Sequence, residues 1–286
     1  MTVLHEIAEI RRVVADARHA GKRVGCVPTM GALHEGHRSL IRACREQCDL
    51  VVVWIFVNPT QFGPHEDLAK YPRPKDEDLA ACSAEGVDVV YMPPAEALYP
   101  SGFGTWVVVE GLTDVLEGAC RPGHFRGVTT IVMKLLQIIQ PDVAFFGAKD
   151  YQQQAIVRKM VRELDVPVDI EVCPTVREND GLAMSSRNRY LSADERQSAL
   201  SLSQALQLAH ERLQAGETNV ESVQEEMLAL LRSTEAVVPE YAVIADPDTL
   251  AELKSPQPSM VALVAAMVGT TRLIDNRQID LANTKA

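Results

Sequence analysis

Hydrophobic positions in the first half of the chain switch repeatedly between two periods. The run "LVVVWIFV" from Leu50 is continuously apolar, the pattern of a strand buried on both faces. "RVGCVPT" reads as a strand running into a turn. From His37 to Cys48, the residues Leu40, Ile41, Cys44 and Cys48 fall on one helical face. "PKDEDLAACSAEG" reads as a helix ending on glycine, and "VDVVYM" as a short strand. "GVTTIVMKLLQIIQ" is helical as far as Pro141. It is followed by the strand "DVAFFG", a helix from Asp150 through Glu163 and the strand "PVDIEVCPTV". Such β-α-β alternation predicts a doubly wound α/β domain, a parallel sheet with helices on both faces.

The texture changes after about Ser185. Ser192 with Glu195 spells a capping box, and Leu202, Leu206 and Leu213 carry a helix onward. Thr218 with Glu221 spells a second box. "PEYAVIADP", "SMVALVAAMVG" and "TRLIDNR" then read as successive strands of a smaller, antiparallel α+β domain. The expected division is 1–180 and 181–286, with no repeat and no long linker between the two.

Composition narrows the function classes. Of 286 residues, 28 are basic and 39 acidic, a net charge of −11. That argues against sequence-independent nucleic-acid binding, which needs a basic face. The longest apolar runs are too short to span a bilayer. The first residues, "MTVLHEIAEIRRVVADARHAGKR", are amphipathic and lack the apolar core of a signal peptide, so a cytoplasmic location is expected. Six scattered cysteines form no C-x-x-C pair. Cys44 and Cys48 lie one helical turn apart and could share zinc, but small core thiols are the better reading.

In an open parallel sheet, ligands sit beyond the carboxyl ends of the strands. "PTMGALHEGH", "NPTQFGPHED", "GAKDYQQQ" and "TVRENDGLAMSSRNR" each follow an apolar run and are expected to converge on one crevice. His34 and His37 stand three apart, without the H-E-x-x-H of zinc peptidases. At a helix start, imidazole donors and free backbone N–H groups suit an anion, and Gly31 and Gly36 allow close backbone approach. Neither a Walker A sequence nor G-x-G-x-x-G is present. The acidic "KDED" at Lys75–Asp78 could assist Mg²⁺, but reads better as a solvated helix start.

The H-x-G-H sequence resembles the ATP signature of the HIGH-type nucleotidyltransferases, and "AMSSRN" resembles a variant of their later K-M-S-K-S loop. "PTMGALHEGH", "FVNPTQF", "YPR", "RPGHFRGV", "FGAKDYQQ", "TVRENDGLAMSSRN" and "TRLIDN" occur in the order of the pantothenate synthetase family, which they resemble over nearly the whole chain. The resemblance implies a Rossmann-like sheet with a C-terminal lid domain. It implies an ATP-dependent ligase that activates pantoate as pantoyl adenylate, releases pyrophosphate and passes the acyl group to β-alanine with loss of AMP.

By the same resemblance, Met30, Gly31, Ala32, Leu33, His34, Glu35, Gly36 and His37 wrap ATP, with His37 the proton donor and His34 beside it. Gly147, Ala148, Lys149 and Asp150 also meet ATP, Lys149 at phosphate and Asp150 at ribose. Val176 contacts adenine through its backbone, and Met184, Ser185, Ser186 and Arg187 close over the phosphates. The catalytic set is His37, His34, Lys149 and Arg187. Gln61 and Gln153 orient pantoate, with Asn58 a weaker candidate, and Gln61 also serves β-alanine. Mg²⁺ rides on the phosphates rather than on protein ligands. His65, His124 and the "RPGHFRGV" stretch rank lower as site members. A homodimer is implied, without nucleic-acid or membrane partners. The alternatives weighed are a metal hydrolase built on His34 and His37, a non-catalytic nucleotide-binding module, and a nucleotidyltransferase acting on a cofactor precursor.

Overall fold

The structure is a computed structural model that describes residues 1–64 and 66–281. His65 lies outside the described residues. The chain divides into two compact units, Met1–Ala148 with Gln152–Pro174, and Lys149–Tyr151 with Thr175–Ala286. Residues 175–180, read from sequence with the first domain, thus group with the second unit.

The elements of the first unit are, in chain order, β1 (Thr2–Leu4), α1 (Ile7–His19), β2 (Val24–Thr29), α2 (Glu35–Gln47), β3 (Leu50–Ile55), α3 (Lys75–Ala84), β4 (Val89–Tyr91), α4 (Ala95–Leu98), α5 (Glu117–Cys120), α6 (His124–Ile139), β5 (Val143–Gly147), α7 (Tyr151–Glu163, from Gln152 onward) and β6 (Asp169–Cys173). Among the described residues its strands form one six-stranded parallel sheet in the order β1-β4-β3-β2-β5-β6. The continuous apolar run of β3 is buried at every position, as a strand covered on both faces must be. Val27, Ile41, Val51, Val53, Val90 and Phe145 share one core cluster.

The chain winds from β2 outward through β3 to β4, then crosses back to β5 and β6. The switch point therefore lies between β2 and β5, where an open α/β sheet forms its ligand crevice. Pro28 helps to open it. Val24 accepts from Asp142 N on the β5 side, whereas Thr29 accepts from Phe56 N on the β3 side. Residues alternate between neighbours in a parallel strand, so Pro28 faces β5, where its missing N–H cannot continue the ladder. The β2–β5 register ends at Cys26↔Ala144, while β2–β3 pairing runs on to Thr29↔Ile55.

In the second unit, α8 (Ala193–Gln214) and α9 (Val220–Ser233) pack on an antiparallel sheet of β7 (Val237–Ala245), β8 (Ser259–Val268) and β9 (Thr271–Asp280), in the order β7-β8-β9. The box at Ser192 and Glu195 is formed in both directions. Leu202, Leu206 and Leu213 are buried in the core that α8 shares with Met227 and Val264. The second box is corrected: Asn219, not Thr218, caps α9, accepting from Ser222 N at 3.1 Å. No described helix is long and apolar enough to cross a membrane.

Candidate active site

The loop after β2 carries the paired histidines. α2 starts at Glu35, two residues before the position read from sequence, because His34 is its N-cap. His34 Nδ1 accepts from Gly36 N at 3.2 Å, and His34 N donates to His37 Nδ1 at 3.3 Å. An imidazole nitrogen that accepts from an N–H carries no proton, so in the neutral rings both protons sit on Nε2. The rings lie 4.1 Å apart between centroids. Two Nε2–H donors thus stand together at the amino end of a 13-residue helix, where the dipole already favours an anion.

The loop after β3 carries the amides. Asn58 is buried and its side chain is spent inside the protein. Its Nδ2 donates to Gln61 Oε1 at 3.0 Å and to Gly127 O at 3.2 Å, and its Oδ1 accepts from Tyr99 Oη at 2.8 Å and Thr60 Oγ1 at 3.0 Å. Burial pushes the Tyr99 phenol up, so it remains a donor. With its oxygen held by Asn58, Gln61 turns Nε2 toward Met30 Sδ, 3.1 Å away. That contact brings the histidine loop and the amide loop together. The approach of α6 needs Gly127: a Cβ there would stand 2.3 Å from Thr60 O and 2.7 Å from Gln61 N.

Beneath Gln61 lies a polar chain that sequence reading ranked low. Glu66 holds Arg121 through Nε at 2.9 Å and a second nitrogen at 2.5 Å. Arg121 donates to His124 Nε2 at 3.1 Å, so His124 keeps its proton on Nδ1 and gives it to Gln61 O at 2.7 Å. Burial, and then the Arg121 charge, lower the His124 pKa from 6.5 to about 4. Its neutral form is therefore the one that folding selects. The unfolded chain binds the extra proton between these values, so this contribution is complete above pH 6.5 and is lost as pH falls toward 4. We expect a loss of about 2–3 kcal/mol at pH 4.5 relative to pH 7. Urea melts of wild type and His124→Asn at both pH values measure it; equal pH dependence in the two proteins counts against it.

After β5, Ala148 N donates to Cys173 O at 2.8 Å. Gln153 is half-buried at the start of α7. Its neighbour Gln152 is buried and pins the preceding loop, donating to Leu112 O and Val115 O and accepting from Glu117 N. A shallow hollow lined by Lys22, Arg23, Asp142 and Asp169 lies at the amino edge of the sheet, opposite the end that carries these loops.

In the second unit, Lys149 Nζ lies 3.6 Å from Asp150 Oδ1, and Asn276 Nδ2 holds Lys149 O at 2.7 Å. Asn276 belongs to the late "TRLIDN" stretch, which thereby acquires a local task. Residues 175–185 contain a small hairpin. Arg177 bridges to Ala183, Met184 N donates to Val176 O at 3.0 Å, and Gly181 turns the tip with φ +96°. Arg177 ties this hairpin to Asp275 at 2.6 and 3.0 Å, and Arg196 clamps Glu178 and Asp180. Ser185 Oγ accepts from Arg187 N at 3.2 Å, capping the 3₁₀ turn Ser186–Tyr190.

Among the described residues, no group of three or more His, Cys, Asp or Glu side chains could hold a metal ion. Cys44 and Cys48 are buried in the apolar core of the first unit, where burial pushes both thiols up.

A sequence profile of the family described as Pantoate-beta-alanine ligase matches residues 2–278. A pantothenate synthetase of Moorella thermoacetica is 51% identical over 276 residues, which are 96% of this chain and 98% of that protein. The crystal structure of pantothenate synthetase from Thermus thermophilus is similar with a TM-score of 0.92 and 43% identity, covering 97% of this chain and 99% of that one. A pantoate-beta-alanine ligase from Francisella tularensis, complexed with beta-gamma ATP and beta-alanine, is similar with a TM-score of 0.80 and 32% identity, over 97% of each chain.

Proposed function

The chain belongs to the pantoate-beta-alanine ligase family, and on that premise we propose that it condenses pantoate with β-alanine at the expense of ATP, giving pantothenate, AMP and pyrophosphate. The whole-length family match carries this reading, and the chemistry of the histidine loop supports it. In the first step a carboxylate oxygen of pantoate bonds to the α-phosphorus of ATP while the bond to the β-phosphate oxygen breaks. In the second, the amine of β-alanine attacks the acyl carbon of the pantoyl adenylate, AMP departs and the amine loses a proton.

Neither step asks the protein for a nucleophile. Both ask for alignment and for positive or donating groups where charge collects. The residues proposed for ATP are Met30–His37, Gly147–Asp150, Val176 and Met184–Arg187. His37 and His34 offer Nε2–H to the phosphates, and Lys149 and Arg187 offer charge. Gln61 and Gln153 orient pantoate and Gln61 also meets β-alanine, while Asn58 supports Gln61 from behind. Mg²⁺ fits as an ion carried by ATP, because it prefers phosphate oxygens and water to an all-protein cage; bound there it neutralises phosphate charge. The family reading also makes the protein a cytoplasmic homodimer.

The test is ATP–pyrophosphate exchange with purified protein. Pantoate alone is expected to support exchange, with β-alanine needed only for net AMP release. Exchange without any acid, or none with pantoate, would remove the adenylate from the scheme.

A further inference from the structure

In the sequence, Asp78 reads as one of four polar residues at a solvated helix start. The structure buries it to 2% exposure in the first unit, on α3. Its two carboxylate oxygens accept from consecutive backbone amides of the histidine loop, Ala32 N at 3.0 Å and Leu33 N at 2.7 Å. The loop needs such a partner. Gly31 has φ +81° and Ala32 has φ +51°, a left-handed conformation that costs a residue with a Cβ about 1 kcal/mol or more. Ala32 is fully buried, so its N–H has no water to turn to.

Consecutive amides in this conformation form a concave nest that binds anions, as in phosphate-binding loops. Here the nest is filled from within the protein. We propose that Asp78 is a positioning residue for ATP. Its carboxylate occupies the nest of Ala32 and Leu33 and holds the loop that places His34 and His37. The phosphates are thereby gripped by imidazole donors rather than by the amides of these two residues. A phosphate could not share those amides without meeting the buried negative charge at hydrogen-bond range. The path from Asp78 to chemistry is short: Leu33 is followed by His34, whose N–H sets the His37 tautomer. Gly31 is confined by the same carboxylate, since a Cβ there would stand 2.8 Å from Asp78 Oδ2 and 3.2 Å from Ile55 Cγ2.

This inference rests on the ATP role given to the loop, so its test reads binding rather than turnover. Calorimetry would compare a non-hydrolysable ATP analogue and pantoate on wild type and Asp78→Asn. The carboxamide keeps the shape but turns an NH₂ toward one of the two amides. We expect analogue affinity to fall about tenfold or more, with pantoate affinity within twofold of wild type. A folded D78N protein with unchanged analogue affinity, or with both ligands weakened equally, overturns the proposal. If D78N fails to fold, Gly31→Ala decides. It crowds the carboxylate without removing the charge, and should show the same ATP-selective loss; unchanged binding overturns the claim. Hydrogen exchange gives a second readout without ligand: the Ala32 and Leu33 amides should be slow in wild type and fast in the variant that folds. A wild type that binds the analogue but shows no pantoate-dependent exchange would remove the ligase reading, while the calorimetry would still decide the role of Asp78.

Discussion

Replacing His37 by alanine is expected to lower the rate of pantoyl-adenylate formation by roughly 10²–10³, the usual cost of removing one donor aimed at transition-state charge. His37 Nδ1 is already an acceptor for His34 N, so in the neutral ring the hydrogen sits on Nε2. The deletion also breaks the reciprocal cap of α2, which should cost about 1 kcal/mol of stability, too little to unfold a chain of this size. Single-turnover kinetics at saturating ATP and pantoate separate the two effects. Analogue affinity should change far less than the rate. A folded His37→Ala protein with wild-type turnover would make His37 a capping residue and nothing more.

The second large effect is structural and lies far from the histidines in sequence. Asp275 is buried on β9 and takes both terminal nitrogens of Arg177, 98 residues away, and its own neighbour Asn276 N at 2.7 Å. Arg177 also donates to Gly181 O and Asn276 O, so one guanidinium ties the hairpin to the strand. Asp275→Ala leaves that cation without its counter-charge, at 28% side-chain exposure. The expected loss is roughly 3 kcal/mol, the lower end for breaking a buried pair from one side. Circular dichroism in urea measures it. The double variant Arg177→Met with Asp275→Leu should recover much of the loss, because no unpaired charge is left. A single variant within 1 kcal/mol of wild type would show that water already satisfies Arg177.

The elements that sequence reading placed well are those whose burial repeats locally. β3, β8 and the long helices announce themselves through runs or one-turn spacings of apolar residues, and each is found where its pattern lies. β1 has only three residues, too few for any period to show. At α9 the Thr218–Glu221 pattern pointed one residue early. Asn219 is the stronger cap, and Glu217 takes the amides of Thr218 and Asn219 itself. At α2 the true cap is an imidazole, outside the usual Ser, Thr, Asp and Asn set, so the sequence pattern places the helix start two residues late.

The sequence by itself determined the fold class, the family and the motifs of the histidine loop, because strand and helix periods and short motifs are written within a few neighbouring residues. Tertiary structure alone decided which polar groups answer one another. Asp78 meets the amides of Ala32 and Leu33 across 46 and 45 residues, His124 meets Gln61 across 63, and Arg177 meets Asp275 across 98. Such pairings depend on the order in which strands lie side by side, and on a proline that ends the β2–β5 ladder at Cys26. Pattern spacing carries no record of either, since a buried carboxylate and a solvated one at a helix start read alike until the chain has folded around them.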